Sequence, residues 1–267
     1  MPAVSILASV PGNSSPASTT FLPKEHGSWS LALEPIALGL LLAPSFAGAA
    51  LATAAIAGFF ARRPLKALFH AAPERRRAAL PVLVVLATLV VAGLGEAALL
   101  AGPAALWPLL LAAPFGGMFL YFDAQGDSRA AAAELSGSAA FAFLPAAVAT
   151  LAGWPIPSAL ALAGLSLGRS LPTVLTVRTY LRLSKQQATE IWLPLSSGVA
   201  AVGLIGCLAY IQLVPPLAVG LAGVLLLRTL GLVTKFRPAW PAKRVGLVEA
   251  GLGLFYMGGL ALAYHTS

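Results

Sequence analysis

The chain has 267 residues, 58% of them hydrophobic and only 10% charged, with a formal net charge of +8. Soluble domains carry about 25% charged residues, so this composition excludes an ordinary soluble domain and points to a polytopic membrane protein. A single cysteine, Cys207, excludes an internal disulfide and any multi-cysteine metal or iron–sulfur site.

Residues 1–20 are rich in Ser, Pro, Thr and Ala and hold no Lys or Arg, unlike the basic start of a secretory signal. Residues 1–22 therefore read as a disordered tail and 23–267 as a single transmembrane helical domain. Apolar runs of near-membrane length then predict about nine helical spans. The first two, 28–43 and 46–60, are short, and Arg62-Arg-Pro-Leu-Lys66 is expected to stop the second. A loop through His70 and Glu74-Arg-Arg-Arg77 leads to the third, 80–95, and the fourth covers 104–121. The fifth covers 129–153 and contains Glu134. Trp154-Pro-Ile-Pro157 opens the sixth, which carries Arg169 and Pro172 and leaves the membrane near Arg178. The seventh is 191–211, the eighth runs from Pro215-Pro216 to near Lys235, and the last is 245–264.

The loop charges support this count. Alternate connections hold Lys24, then Arg62, Arg63, Lys66 and Arg75 to Arg77, then Arg129, then Arg178, Arg182 and Lys185, then Lys235, Arg237, Lys243 and Arg244. The opposite connections, near Pro44, Glu96 to Pro103, Gly153 to Pro157 and Gln212 to Pro216, hold no Lys or Arg. This segregation predicts a cytoplasmic N-terminus and an external C-terminus. It also explains the basic surplus by orientation in a lipid bilayer, with no nucleic-acid partner.

Charges inside apolar spans are costly, so they mark a protein interior or a watery cavity. Glu34 and Glu134 lie one to two turns from the cytoplasmic ends of the first and fifth spans. Arg169 lies roughly 12–14 Å inside the sixth. Arg228 and Glu249 are shallower and near enough to the surface to snorkel. Arg169 and Arg178 suit bidentate recognition of a phosphate or carboxylate, although Arg178 with Arg182 also reads as ordinary positive-inside charge. Lys24 and His26 adjoin the first span, and His26 suits a proton relay beside Glu25 or Glu34. Asp123 and Asp127 are four apart and would share a helical face able to hold a divalent cation, with an acidic loop as the alternative.

Pro23-Lys-Glu-His-Gly-Ser-Trp29 resembles the N-terminal signature of the YwiC-like family of bacterial membrane proteins. Arg169-Ser-Leu-Pro-Thr-Val-Leu-Thr-Val-Arg178 with Leu181-Arg182 is similar to that family's later pattern. The resemblance implies a multi-pass protein of the bacterial inner (plasma) membrane but supplies no activity. Arg63-Pro-Leu65, the stretch from Tyr121 to Arg129, Glu134-Leu-Ser-Gly-Ser138 and Pro145 more weakly resemble the UbiA prenyltransferase superfamily. That likeness implies a nine-helix bundle, but those enzymes bind a prenyl diphosphate through magnesium on NxxxD and DxxxD motifs. Here the second span ends Phe59-Phe-Ala-Arg-Arg63, and the sixth has Arg169 and Arg178 with no aspartate.

The expectation is an all-α membrane bundle with a cytoplasm-facing, Arg-lined cavity that binds or transports a small anionic or amphipathic molecule. Lys24, His26, Glu34, Glu134, Arg169 and Arg178 would form the binding site. One alternative is a membrane transferase acting on an isoprenoid or lipid, with magnesium on Asp123 and Asp127. Another is an assembly factor for a membrane complex.

Overall fold

A computed structural model describes residues 26–127 and 130–266, and among these every regular element is helical. The order is α1 (His26–Leu42), α2 (Phe46–His70), α3 (Pro73–Ala101), a 3-10 turn (Pro103–Leu106), α4 (Pro108–Ala124), α5 (Ala131–Ala142), α6 (Leu144–Leu151), α7 (Ile156–Ser184), α8 (Trp192–Tyr210), α9 (Leu217–Val233) and α10 (Ala242–Thr266). α5 and α6 follow one another across Phe143 as a single span, Ala131–Leu151. The elements therefore amount to nine rods, as the sequence predicts. Five are long and apolar enough to cross a membrane, and α1, α4 and α9 are shorter apolar helices. In lipid a helix satisfies its own backbone polar groups, which is why apolar runs of this length adopt it. The chain is a multi-pass helical membrane protein.

Three boundaries differ from expectation. α2 does not stop at Arg62; it continues through Pro64 to His70. α3 starts at Pro73 and takes in Glu74 to Arg77, which the sequence suggested were loop. Lys and Arg are good helix formers, so these charges mark the edge of the apolar zone and not the end of the helix. In the fifth span the break falls where Pro145 enters the first turn of α6, since proline cannot donate back to the preceding turn.

α7 and α6 form the centre. α6 is buried almost throughout, and α7 buries Leu162, Leu165, Arg169, Thr176 and Tyr180 among others. α1 packs across α6, where a Cβ on Gly39 would stand 3.0 Å from the Pro145 Cα. Thr150 ties α6 to the 3-10 turn by donating to the Ala105 carbonyl at 2.6 Å. Large apolar side chains such as Phe46, Leu99, Leu110 and Leu227 face outward. That is what a bilayer-facing surface requires and what water would penalise.

α3 sits at the periphery and buries just Ala79, Gly93 and Ala97. Its seat against α2 depends on Gly93, where a Cβ would lie 2.6 Å from the Ala50 carbonyl oxygen and 3.1 Å from the Ala54 Cβ. Both neighbours belong to the opposing helix backbone or its first side-chain atom, so neither can swing away. Gly93→Val should therefore destabilise the α2–α3 pair by about 1–3 kcal/mol. Thermal unfolding in detergent would show this, and an unchanged transition would mean that the close approach contributes nothing.

Candidate functional site

Four charged side chains meet inside the bundle: Glu34 from α1, Arg169 from α7, Arg228 from α9 and Glu249 from α10. Arg169 and Glu249 are only 4% and 5% exposed. Arg169 Nε lies 3.5 Å from Glu34 Oε2, and Arg169 Nη1 lies 3.5 Å from Glu249 Oε2. Arg228 Nη2 donates to Glu249 Oε2 at 2.8 Å. Arg169 Nη2 also donates to the backbone carbonyl of Glu249 at 2.9 Å. Two guanidiniums thus face two carboxylates, and the formal charge of the cluster is zero.

Helical spacing assembles the polar groups around it. Residues 169, 173 and 176 recur on one face of α7. The Thr173 hydroxyl donates to the Arg169 carbonyl at 2.6 Å and accepts from Arg228 Nη2 at 2.9 Å and from Arg169 Nη1. Thr176 bonds the Pro172 carbonyl at 2.6 Å and faces the Thr229 hydroxyl at 3.1 Å. On α10, Gly253 lies one turn from Glu249, and its missing side chain is what makes room for the Glu34 carboxylate. Tyr256, a further turn on, is buried and donates to the Leu165 carbonyl at 3.1 Å.

Beside the charges is a small space lined by Glu34, Leu38, Ser166, Arg169, Ser170 and Tyr256. It measures about 10 Å³, room for roughly one water. Glu34 Oε1, Arg169 Nε and the hydroxyls of Ser166 and Ser170 are buried there without a hydrogen-bond partner among the described residues. Such orphaned groups are rare in buried interiors.

Several sequence expectations change. Arg228 and Glu249 do not snorkel to the surface; each is drawn inward by an opposite charge at similar depth. The signal was present in the sequence as an Arg and a Glu on consecutive apolar helices. Arg178 does not join Arg169. It pairs instead with Glu134 at 2.7 Å, where the two side chains are 23% and 36% exposed. The reason is distance: nine residues along α7 separate the two arginines by about 13–14 Å. Asp123 and Asp127 do not share a helical face, because α4 ends at Ala124 and Gly126 turns the chain with φ 85°. Asp123 Oδ1 faces Lys66 Nζ at 3.6 Å, and Lys66 also donates to the Asp123 carbonyl at 3.2 Å. Lys24 and Arg129 lie outside the described residues, as does the side chain of His26, which opens α1.

Sequence reasoning missed Thr173, Thr229, Ser166, Ser170 and Tyr256. None carries a charge, and each reads as ordinary helix filling until the fold brings it to the cluster.

Residues 22–149 match a protein family described as YwiC-like protein, a region that runs through α1 to α6 and includes Glu34 and Glu134. Arg169, Arg228 and Glu249 lie beyond it. No curated protein and no solved structure matches the chain.

Proposed function

From a chain that is YwiC-like over residues 22–149 and completes a buried charge cluster beyond them, we propose a membrane protein that binds or carries a small anionic or amphipathic molecule at Arg169, approached from the cytoplasm. The observation that supports this most is the incompleteness of the cluster. Arg169 touches both carboxylates at 3.5 Å, longer than a close charge-assisted bond of about 2.7–2.9 Å. Beside it, Glu34 Oε1 and the Ser166 and Ser170 hydroxyls have no hydrogen-bond partner among the described residues. A purely structural charge network gains most when every lone pair and proton is engaged. A network awaiting a partner keeps some of them unengaged.

The closed space is far below the roughly 300 Å³ at which ligand pockets begin, so binding requires α1 or α10 to move relative to α7. The two outer ion pairs, Glu134 with Arg178 and Lys66 with Asp123, would stand at the cytoplasmic mouth in the orientation that loop charge favours. Reporter fusions at each terminus test that orientation. The transferase alternative, with magnesium on Asp123 and Asp127, draws no support from an Asp123 that already faces Lys66.

The direct test is uptake by reconstituted vesicles across a panel of small anions, comparing the native chain with Arg169→Lys. Lysine keeps the charge but loses the planar fork. Saturable uptake that falls tenfold or more in Arg169→Lys is expected. Unchanged uptake in that variant, or none by the native protein across the panel together with no bound ligand in native mass spectra, would refute the reading.

A further inference from the structure

We propose that Glu34 is the carboxylate displaced when an anion binds and that it takes up a proton as it leaves Arg169, so that the site accepts a small carboxylate or similarly sized oxyanion together with one proton. This rests on the anion-binding reading above and specifies its ligand class and its coupling.

The two carboxylates of the cluster are held unequally. Glu249 contacts Arg228 at 2.8 Å and Arg169 at 3.5 Å, and its own carbonyl accepts from Arg169 at 2.9 Å. Glu34 is held among the described residues by its 3.5 Å pair with Arg169. Oε1 of each carboxylate has no hydrogen-bond partner there, so the difference lies in the Arg228 contact and the carbonyl bond that Glu249 alone has. Glu34 is therefore the partner that leaves first.

The groups it would expose are donors. Ser166 and Ser170 lie one turn apart on α7, buried and lining the same small space as Arg169. Farther along that helix Thr173 and Thr176 use their hydroxyls on carbonyls four residues back. The Ser166 and Ser170 hydroxyls make no such bond. With Arg169 Nε, which the departure of Glu34 would free, they make three donors around a space that now holds about one water's volume. A ligand enters only by taking the volume of the Glu34 carboxyl, so the exchange is carboxylate for carboxylate, or for an oxyanion of similar size.

Charge requires the proton. The ionised cluster is neutral, and one added anion would leave an uncompensated negative charge in a low-dielectric interior. The charged or titratable groups facing Glu34 are Arg169 from α7, Arg228 from α9, and Glu249 and Tyr256 from α10. α6 contains no ionisable residue, and among the described residues α2 and α5 send none to the cluster. Both arginines already face Glu249, so protonation of the displaced Glu34 is the step that restores neutrality.

The test is calorimetric titration of formate into the full chain in lipid nanodiscs, near pH 8, in two buffers of different ionisation enthalpy. Uptake of about one proton per formate is expected, with affinity falling about tenfold per pH unit above that point. In Glu34→Gln, formate should bind with proton uptake near zero and a flat pH profile. In Ser166→Ala/Ser170→Ala, affinity should fall about tenfold with the proton count unchanged. Formate binding by the native chain without proton uptake would overturn the proposal, and so would uptake that persists in a folded Glu34→Gln. The native measurement decides even if the variant does not fold. If chloride or phosphate binds and neither formate nor acetate does, this ligand class fails while the broader reading stands. If none of the four binds at any pH, this proposal fails, and the broader reading is decided separately by the uptake panel and native mass spectra.

Discussion

Arg169→Met should destabilise the protein by about 3–5 kcal/mol, the usual cost of removing one partner from a buried ion pair. The cost arises from what remains. Glu34 would be left facing Ser166, Ser170 and Tyr256 without the guanidinium it pairs with, and Glu249 would keep Arg228 alone among the described residues. Methionine fills similar volume, so lost packing adds little. The double variant Arg169→Met/Glu34→Gln should recover most of the loss, because it removes the stranded charge along with its partner. Thermal or denaturant unfolding in detergent reads both. A loss below about 1 kcal/mol in the single variant would place the cluster in contact with water, where ion pairs contribute that little.

The helices were legible in the sequence because lipid leaves the backbone few alternatives: an apolar run near twenty residues long becomes a helix. The nine rods followed from that and from the placement of Pro44, Trp154 and Pro215-Pro216. Helix ends were less legible, since Arg62 and Arg75 mark where the apolar run stops while the backbone hydrogen bonds continue. Glu34 and Arg169 stood out by depth alone. Their partners did not, because depth says how far a charge sits from the surface but not what lies beside it. Arg228 and Glu249 looked shallow enough to reach water, and the crossing of α9 and α10 with α7 is what turns them inward. The pairing of Arg169 with Arg178 failed for the opposite reason: two residues on one helix can suit the same ligand and still be too far apart to share it.

Gly253→Ala should act through Glu34, although residue 253 carries no charge of its own. A Cβ at this position would run into the Glu34 carboxylate. An unconstrained glutamate would swing aside at little cost, but here swinging aside means leaving Arg169 in a buried site. The loss should therefore approach the roughly 3–5 kcal/mol of a broken buried pair, well beyond that of an exposed methyl. The claim separates cleanly from simple overpacking of the α1–α10 contact. In a Glu34→Ala background the three atoms that the added methyl would meet first are gone, so Gly253→Ala should cost little there. The interaction energy from the double-mutant cycle should sit at the upper end of the roughly 0.5–3 kcal/mol seen for coupled neighbours. Additive losses would mean that the glycine serves helix packing alone and that Glu34 is not held in place by Arg169.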